Sequence, residues 1–119
     1  MNKRSKGKIY EEKGKEYLEN IGVKVLAMNY QGSFGEIDII GYDETTLVFF
    51  EVKYRKNLSF GMPQEAIDKK KMKKIYITAK EFIRRNRLGN EKIRFDAVVF
   101  LGEKIEWIKN IFWGDELGL

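Results

Sequence analysis

The sequence contains no cysteine, no histidine and a single proline in 119 residues. Without Cys or His there are no usual zinc ligands, no Ser-His or Cys-His nucleophile system and no hydrolysis that relies on a catalytic imidazole. No disulfide can form, which fits a reducing compartment and makes the cytoplasm the expected location. Long apolar runs are also missing. The longest, Ala97 to Leu101, is too short to span a membrane, and the basic start, Met1 to Gly7, leads into charged residues where a signal peptide would be apolar. Whatever chemistry occurs is left to carboxylates, lysines, arginines, tyrosines and hydroxyls.

What is present suits one α/β domain spanning residues 1–119. Hydrophobic residues make up 43%, enough for a real core, and the formal charge of +5 suits an anionic partner without identifying one. The stretch Gly35 to Tyr54, GEIDIIGYDETTLVFFEVKY, alternates apolar and polar residues in both halves and reads as a β-hairpin turning at Asp43 to Thr46. With Tyr42 opposite Leu47, Ile40 falls opposite Phe49, Asp38 opposite Glu51 and Glu36 opposite Lys53. Opposed residues share a face, with Cβ atoms about 5 Å apart. Two carboxylates so placed repel unless something neutralises them, and a hard divalent cation would. The plainer alternative is a hairpin with a solvated polar face.

Elsewhere the periodicity alternates between helix and strand. Residues 1–8 carry four basic side chains and read as a mobile arm. Tyr10, Gly14, Tyr17, Leu18 and Ile21 recur at helical spacing from Ile9 to Asn20, with Gly22 as the stop. Glu11, two turns before Leu18, lies at the edge of that buried stripe, within reach of a sheet face. Val23 to Tyr30 is β-like. Arg55 to Pro63, RKNLSFGMP, reads as a loop that borders the charged cluster through Arg55.

A second helix is expected from Gln64 to Arg87, with nine bases against Glu65, Asp68 and Glu81. It holds the whole positive balance, and Lys69, Lys70, Lys71, Lys73 and Lys74 read as a phosphate-facing surface. Its aromatic residues sit at core spacing, so it offers no base-stacking platform. Gly89 and Asn90 end it. Ile93 to Leu101 reads as a strand covered on both faces, with Arg94 and Asp96 as a structural ion pair, and Ile105 to Ile111 as a last strand. Phe112 and Trp113 pack or offer a contact surface.

Taken together, these segments resemble a known pattern. Gly35-Glu36-Ile37-Asp38 followed by Glu51-Val52-Lys53 is similar to the active-site signature of the PD-(D/E)XK nuclease superfamily. More narrowly, the chain resembles the YraN family of predicted endonucleases, related to Holliday junction resolvases. Tyr10-Glu11, Asn29-Tyr30, Phe60 to Ala66, Lys71, Arg94-Phe95-Asp96 and Asn110-Ile111-Phe112 fall in that family's order and spacing. Ile37 replaces the superfamily's proline, and Gly14 stands where the family usually has alanine.

The resemblance implies a restriction-endonuclease-like three-layer core, a mixed sheet flanked by helices, with the active site where the hairpin strands diverge. It implies metal-dependent hydrolysis of phosphodiester bonds in nucleic acid, DNA foremost, with Asp38, Glu51 and Glu11 holding one or two Mg²⁺ or Mn²⁺ ions and the Val52 carbonyl adding a ligand. Lys53 would orient or deprotonate water. Glu36 would tune Lys53 or bind metal through water. Lys71 and its neighbours, with Arg55 and Gln64, would hold the phosphate backbone. A homodimer is compatible with cutting two strands. The competing readings are a nucleic-acid-binding protein without catalysis, using the basic helix 64–87, and a structural subunit that recruits a partner through Phe112 and Trp113.

Overall fold

A computed structural model describes residues 3–55 and 69–111, with side chains from Gly7 onward. The elements run α1 (Lys3–Asn20), β1 (Lys24–Gln31), β2 (Glu36–Asp43), β3 (Thr46–Arg55), α2 (Lys69–Arg85), β4 (Lys92–Leu101) and β5 (Lys104–Ile108). The strands form one sheet in chain order. Every neighbouring pair is antiparallel except β3 and β4, which run parallel from Thr46↔Lys92 to Arg55↔Leu101. This is an α/β fold with a mixed five-stranded sheet and two helices, compatible with a restriction-endonuclease-like three-layer core.

Each face of the sheet buries its own apolar set. Ile37, Ile40, Leu47, Phe49, Phe95, Ala97 and Val99 pack with Ile75, Ala79 and Phe82 of α2. Ile39, Val48, Phe50, Val98 and Phe100 pack with Leu18 of α1. The near-continuous apolar sequence of β4 follows from this double coverage. Among the described residues no helix is long and apolar enough to cross a membrane.

The hairpin register holds as read, with Tyr42↔Leu47 and Ile40↔Phe49, but the ladder ends at Ile39↔Phe50. Asp38 and Glu51 are therefore not a cross-strand pair, and Glu36 does not oppose Lys53. Instead β2 peels away from β3 and continues along β1, where Gln31↔Glu36 is the last pair. Alternation breaks at the same point, since Ile37 joins the α2-side core and Ile39 the α1-side core. Asp38 sits on that break.

Lys3 to Lys8, expected as an arm, are helical backbone continuous with the rest of α1. That helix ends where Gly22 adopts φ 101°, with Val23 N–H donating to the Leu18 carbonyl at 2.9 Å, a Schellman closure. The second helix stops at Arg85, two residues short of the expected Arg87. Its cap is Arg87 itself, at φ 54°, with Leu88 N–H donating to the Ile83 carbonyl at 2.9 Å, so the chain turns before Gly89. The last strand stops at Ile108 instead of Ile111. The expected start of the second helix at Gln64, the segment Phe60 to Ala66, and Phe112 and Trp113 lie outside the described residues.

Arg94 and Asp96 form the structural ion pair expected of them. Asp96 is fully buried and accepts from Arg94 Nε at 3.0 Å, Trp107 Nε1 at 2.8 Å and Asn110 N–H at 2.8 Å. Arg94 also reaches Asp43 at 2.7 Å, and burial of this fully bonded cluster ties the hairpin turn to β4 and the end of β5.

Candidate active site

Where β2 and β3 part, a cavity of about 620 Å³ opens with Glu11, Glu36, Asp38 and Glu51 among its walls. Lys70, Lys71 and Lys74 line it from α2. The sequence thus delivers acid from the sheet and α1, and base from α2, to one space.

Asp38 is held by the break in the ladder. Its Oδ2 accepts the Val52 N–H at 2.8 Å, so a side-chain oxygen takes the place of a strand carbonyl. Burial and then the negative charge of Glu51 raise its carboxyl to about 7, against the opposing pull of that N–H. Glu51 itself is only 2% exposed. Its Oε1 meets Lys71 Nζ at 3.0 Å, while Oε2 is buried without a hydrogen-bond partner among the described residues. An anionic oxygen in that state is costly unless a cation approaches it.

Glu11, Glu36 and Asp38 each offer a carboxylate oxygen within 4.8 Å of the others. Asn29 and Gln31 hold this group together. Asn29 Nδ2 donates to Glu11 at 2.6 Å and to Glu36 at 3.0 Å, and Gln31 Nε2 donates to Glu36 at 2.6 Å. Asn29 has φ 52°, in the left-handed region that Asn tolerates better than most residues. Burial, then the nearby Asp38 and Glu36 charges, outweigh the Asn29 hydrogen bond and raise the Glu11 carboxyl.

Lys53, one alternation beyond Glu51 on β3, lies close to Lys71. Burial first, and the neighbouring ammonium second, lower it to about 8. Burial also pulls Lys71 down, but the Glu51 charge and the Lys53 contact outweigh it, so Lys71 stays above its ordinary value. One lysine is thus set near neutral and the other firmly cationic.

The predicted residues do not all converge. Glu11, Glu36, Asp38 and Glu51 share the cavity with Lys70, Lys71 and Lys74, whereas Lys73 lines an adjacent groove. Lys69 is exposed at the start of α2, and Arg55 ends β3 with its carbonyl accepting from Gly102 N–H at 3.0 Å; neither lines the cavity. Val52 contributes its N–H to Asp38. Gln64 lies outside the described residues.

Sequence reasoning missed the clamp that sets the cavity's outer wall. Ser33 donates to the buried Glu81 of α2, from N–H at 3.0 Å and from Oγ at 2.8 Å. Those bonds lower the Glu81 carboxyl below its ordinary range. Gly32 permits the approach, because a Cβ there would lie 2.7 Å from Thr78 Cγ2. A lone acid amid the bases of α2 was the available signal.

A sequence profile described as "Uncharacterised protein family UPF0102" matches residues 10–100. A UPF0102 protein of Fusobacterium nucleatum is 47% identical over 118 residues, covering 99% of both chains. Another from a Sulfurihydrogenibium species is 46% identical over 112 residues, covering 94% of this chain and 97% of its own. A third, from Clostridioides difficile, is 45% identical over 114 residues, covering 94% of this chain and all of its own.

Proposed function

The chain belongs to the uncharacterised protein family UPF0102, and we propose that it is a metal-dependent endonuclease that hydrolyses phosphodiester bonds in nucleic acid, structured or branched DNA foremost. The observation that carries this reading is the buried Glu51 carboxylate, which lines a cavity shared with Asp38 and has one oxygen on Lys71 and the other without a hydrogen-bond partner among the described residues. The resemblance to the YraN family of predicted endonucleases supports it.

The donor set fits a hard cation, since it is all carboxylate oxygen with no sulfur or imidazole. Asp38 and Glu11 would hold it with Glu36, whose oxygen lies within 4.8 Å of theirs, and Glu51 from the same cavity and the Val52 carbonyl would be further ligands. Bound Mg²⁺ or Mn²⁺ supplies charge neutralisation at a phosphate and acidifies a water.

The remaining work falls to the chain's own groups. Lys53, beside Lys71 though not among the cavity's lining residues, is lowered to about 8, and its amine would orient or deprotonate the attacking water. Lys70, Lys71 and Lys74 hold the phosphate backbone opposite the acidic wall and offset the charge that develops on it. This reading places the protein in the cytoplasm with its substrate, and a homodimer is the form suited to cutting two strands.

A second reading rests on the Lys71–Glu51 ion pair. It gives the buried acid a protein partner, as a binding protein without catalysis would need. The discriminating test is cleavage of labelled single-strand, duplex, flap, four-way-junction and RNA substrates with Mg²⁺ or Mn²⁺. The nuclease reading expects metal-dependent cutting that Asp38→Ala and Lys53→Ala abolish. No cutting of any substrate by the unaltered protein, with equal binding by all three proteins, would leave the binding reading standing.

A further inference from the structure

We propose that Phe34 is a specificity-determining residue that stacks on an unpaired nucleobase beside the scissile phosphate, so the preferred substrate carries single-stranded character at the cut. The inference rests on the nucleic-acid half of the function proposed above and adds to it the local state of the strand.

Phe34 has no place in either core. It is 66% exposed, the most exposed of the large hydrophobic residues described and the only aromatic among them. Leaving a phenyl ring in water forgoes its burial, and here the ring lines two lysine-bearing clefts at once.

The loop that carries it is built to hold it still. Gly32 N–H donates to the Gly35 carbonyl at 2.7 Å, closing the turn around residues 33 and 34. Ser33 is fixed to Glu81 through both its backbone N–H and its hydroxyl. The ring is therefore presented from a turn clamped to α2, with little freedom of the backbone to lose on binding.

Its surroundings specify the chemistry of the partner. Phe34 borders the acidic cavity on one side and, on the other, a groove of about 440 Å³ that includes Lys73, Lys80 and Arg84. Lys70 and Lys74 stand on the cavity side. A flat apolar face between two sets of cations matches a strand whose phosphates run along the lysines and whose base meets the ring.

The base must be unpaired. Inside a duplex both faces of each base are already stacked, and opening a step costs a few kcal/mol. In a single strand, a flap or a junction arm the face is exposed, and stacking on an aromatic side chain strengthens binding by about tenfold or more per base.

The test uses the full chain in EDTA, so that no strand is cut, and reads fluorescence anisotropy of a labelled oligothymidine and of a blunt duplex at low salt. A single strand carrying 2-aminopurine reports stacking directly by quenching. Phe34→Ala and Phe34→Leu should weaken single-strand binding by about tenfold or more while changing duplex binding less than about twofold. Quenching should disappear in both, and Phe34→Trp should restore it. Unchanged single-strand affinity in Phe34→Ala, or equal losses on both probes, would overturn the inference and leave the nuclease reading intact. If the unaltered protein holds neither probe, the nucleic-acid reading fails and this inference fails with it.

Discussion

Lys71 Nζ sits 3.0 Å from one oxygen of Glu51, and the other oxygen of that carboxylate has no hydrogen-bond partner among the described residues. The lysine thus answers half of the negative charge that the strand buries. Truncating it to Lys71→Met removes the ammonium in contact with the acid and leaves Lys53 to balance it. Because the Lys71 side chain is 43% exposed, solvent screening keeps the cost below that of a fully buried pair, at about 1–2 kcal/mol. In EDTA the variant should melt earlier than the parent, and added Mg²⁺ should raise its midpoint by more than it raises the parent's. Equal midpoints in EDTA would show that the pair carries no net stability.

Two of the shifted groups, Asp38 and Lys53, give the metal-free protein opposing pH dependences. Unfolded, Asp38 ionises near 3.8; folded, near 7. Between those values the folded state keeps a proton that the unfolded chain has lost, so stability falls as pH rises from about 4 to about 7. Lys53 acts in the opposite sense. It gives up its proton at about 8 when folded and at 10.5 when unfolded, so stability recovers across that higher window. These two groups place a minimum between about pH 7 and 8. Asp38→Asn, which retains an oxygen for the Val52 N–H, should remove the part of the acidic slope that Asp38 supplies. Urea unfolding in EDTA near pH 5 and near pH 7.5 should show its advantage over the parent growing at the higher pH, by on the order of 2 kcal/mol. A constant difference would contradict the raised carboxyl.

Asn29 joins Glu11 of α1 to Glu36 of β2 through one amide nitrogen. Its positive φ makes Asn29→Gly tolerable to the backbone while removing both donors. Outer partners of metal-binding carboxylates typically contribute a factor of about 10–100 in affinity. Calorimetric titration with Mn²⁺ should therefore give about tenfold weaker binding in Asn29→Gly at a little-changed melting temperature. Undiminished affinity would reduce Asn29 to a local turn residue.

Gly14 is buried in the middle of α1, where a Cβ would meet Val52 Cγ2 at 3.4 Å and Ile39 Cδ1 at 3.5 Å. Those are ordinary contacts, so alanine fits without displacement. Gly14→Ala should stabilise the protein by about 1 kcal/mol through helix propensity alone, read as a higher denaturant midpoint at unchanged slope. A lower midpoint would mean that α1 packs more tightly on β3 than these distances indicate.

The sheet and both helices were legible because their apolar periods are strong and both faces are covered. Hairpin pairing was legible too, as far as Ile39 and Phe50. Beyond that point the sequence still alternates while the strands do not stay together, so extrapolated pairing placed Glu36 against Lys53. What separates them is the competing pull of β1, which claims Ile37 and Glu36. Asn29 was picked out only through the family resemblance, and its role went unread because a left-handed residue inside a strand leaves no periodic trace. The Ser33–Glu81 clamp escaped because its partners lie far apart in sequence and their charges suggest only a solvated helix. Arg87 shows the same limit from the other side, since glycine nearby drew the helix end to the wrong residue.

The single parallel pairing in the sheet also dictates an order of events. The β2–β3 hairpin closes through a short turn, so its acidic strands can meet early and locally. Pairing of β3 with β4, from Thr46↔Lys92 onward, must wait for the whole intervening segment, α2 included, to be drawn in. Lys71 lies on that segment. The counter-charge at Glu51 is therefore assembled in two parts, Lys53 being carried on β3 itself while Lys71 reaches the carboxylate only when this crossover closes.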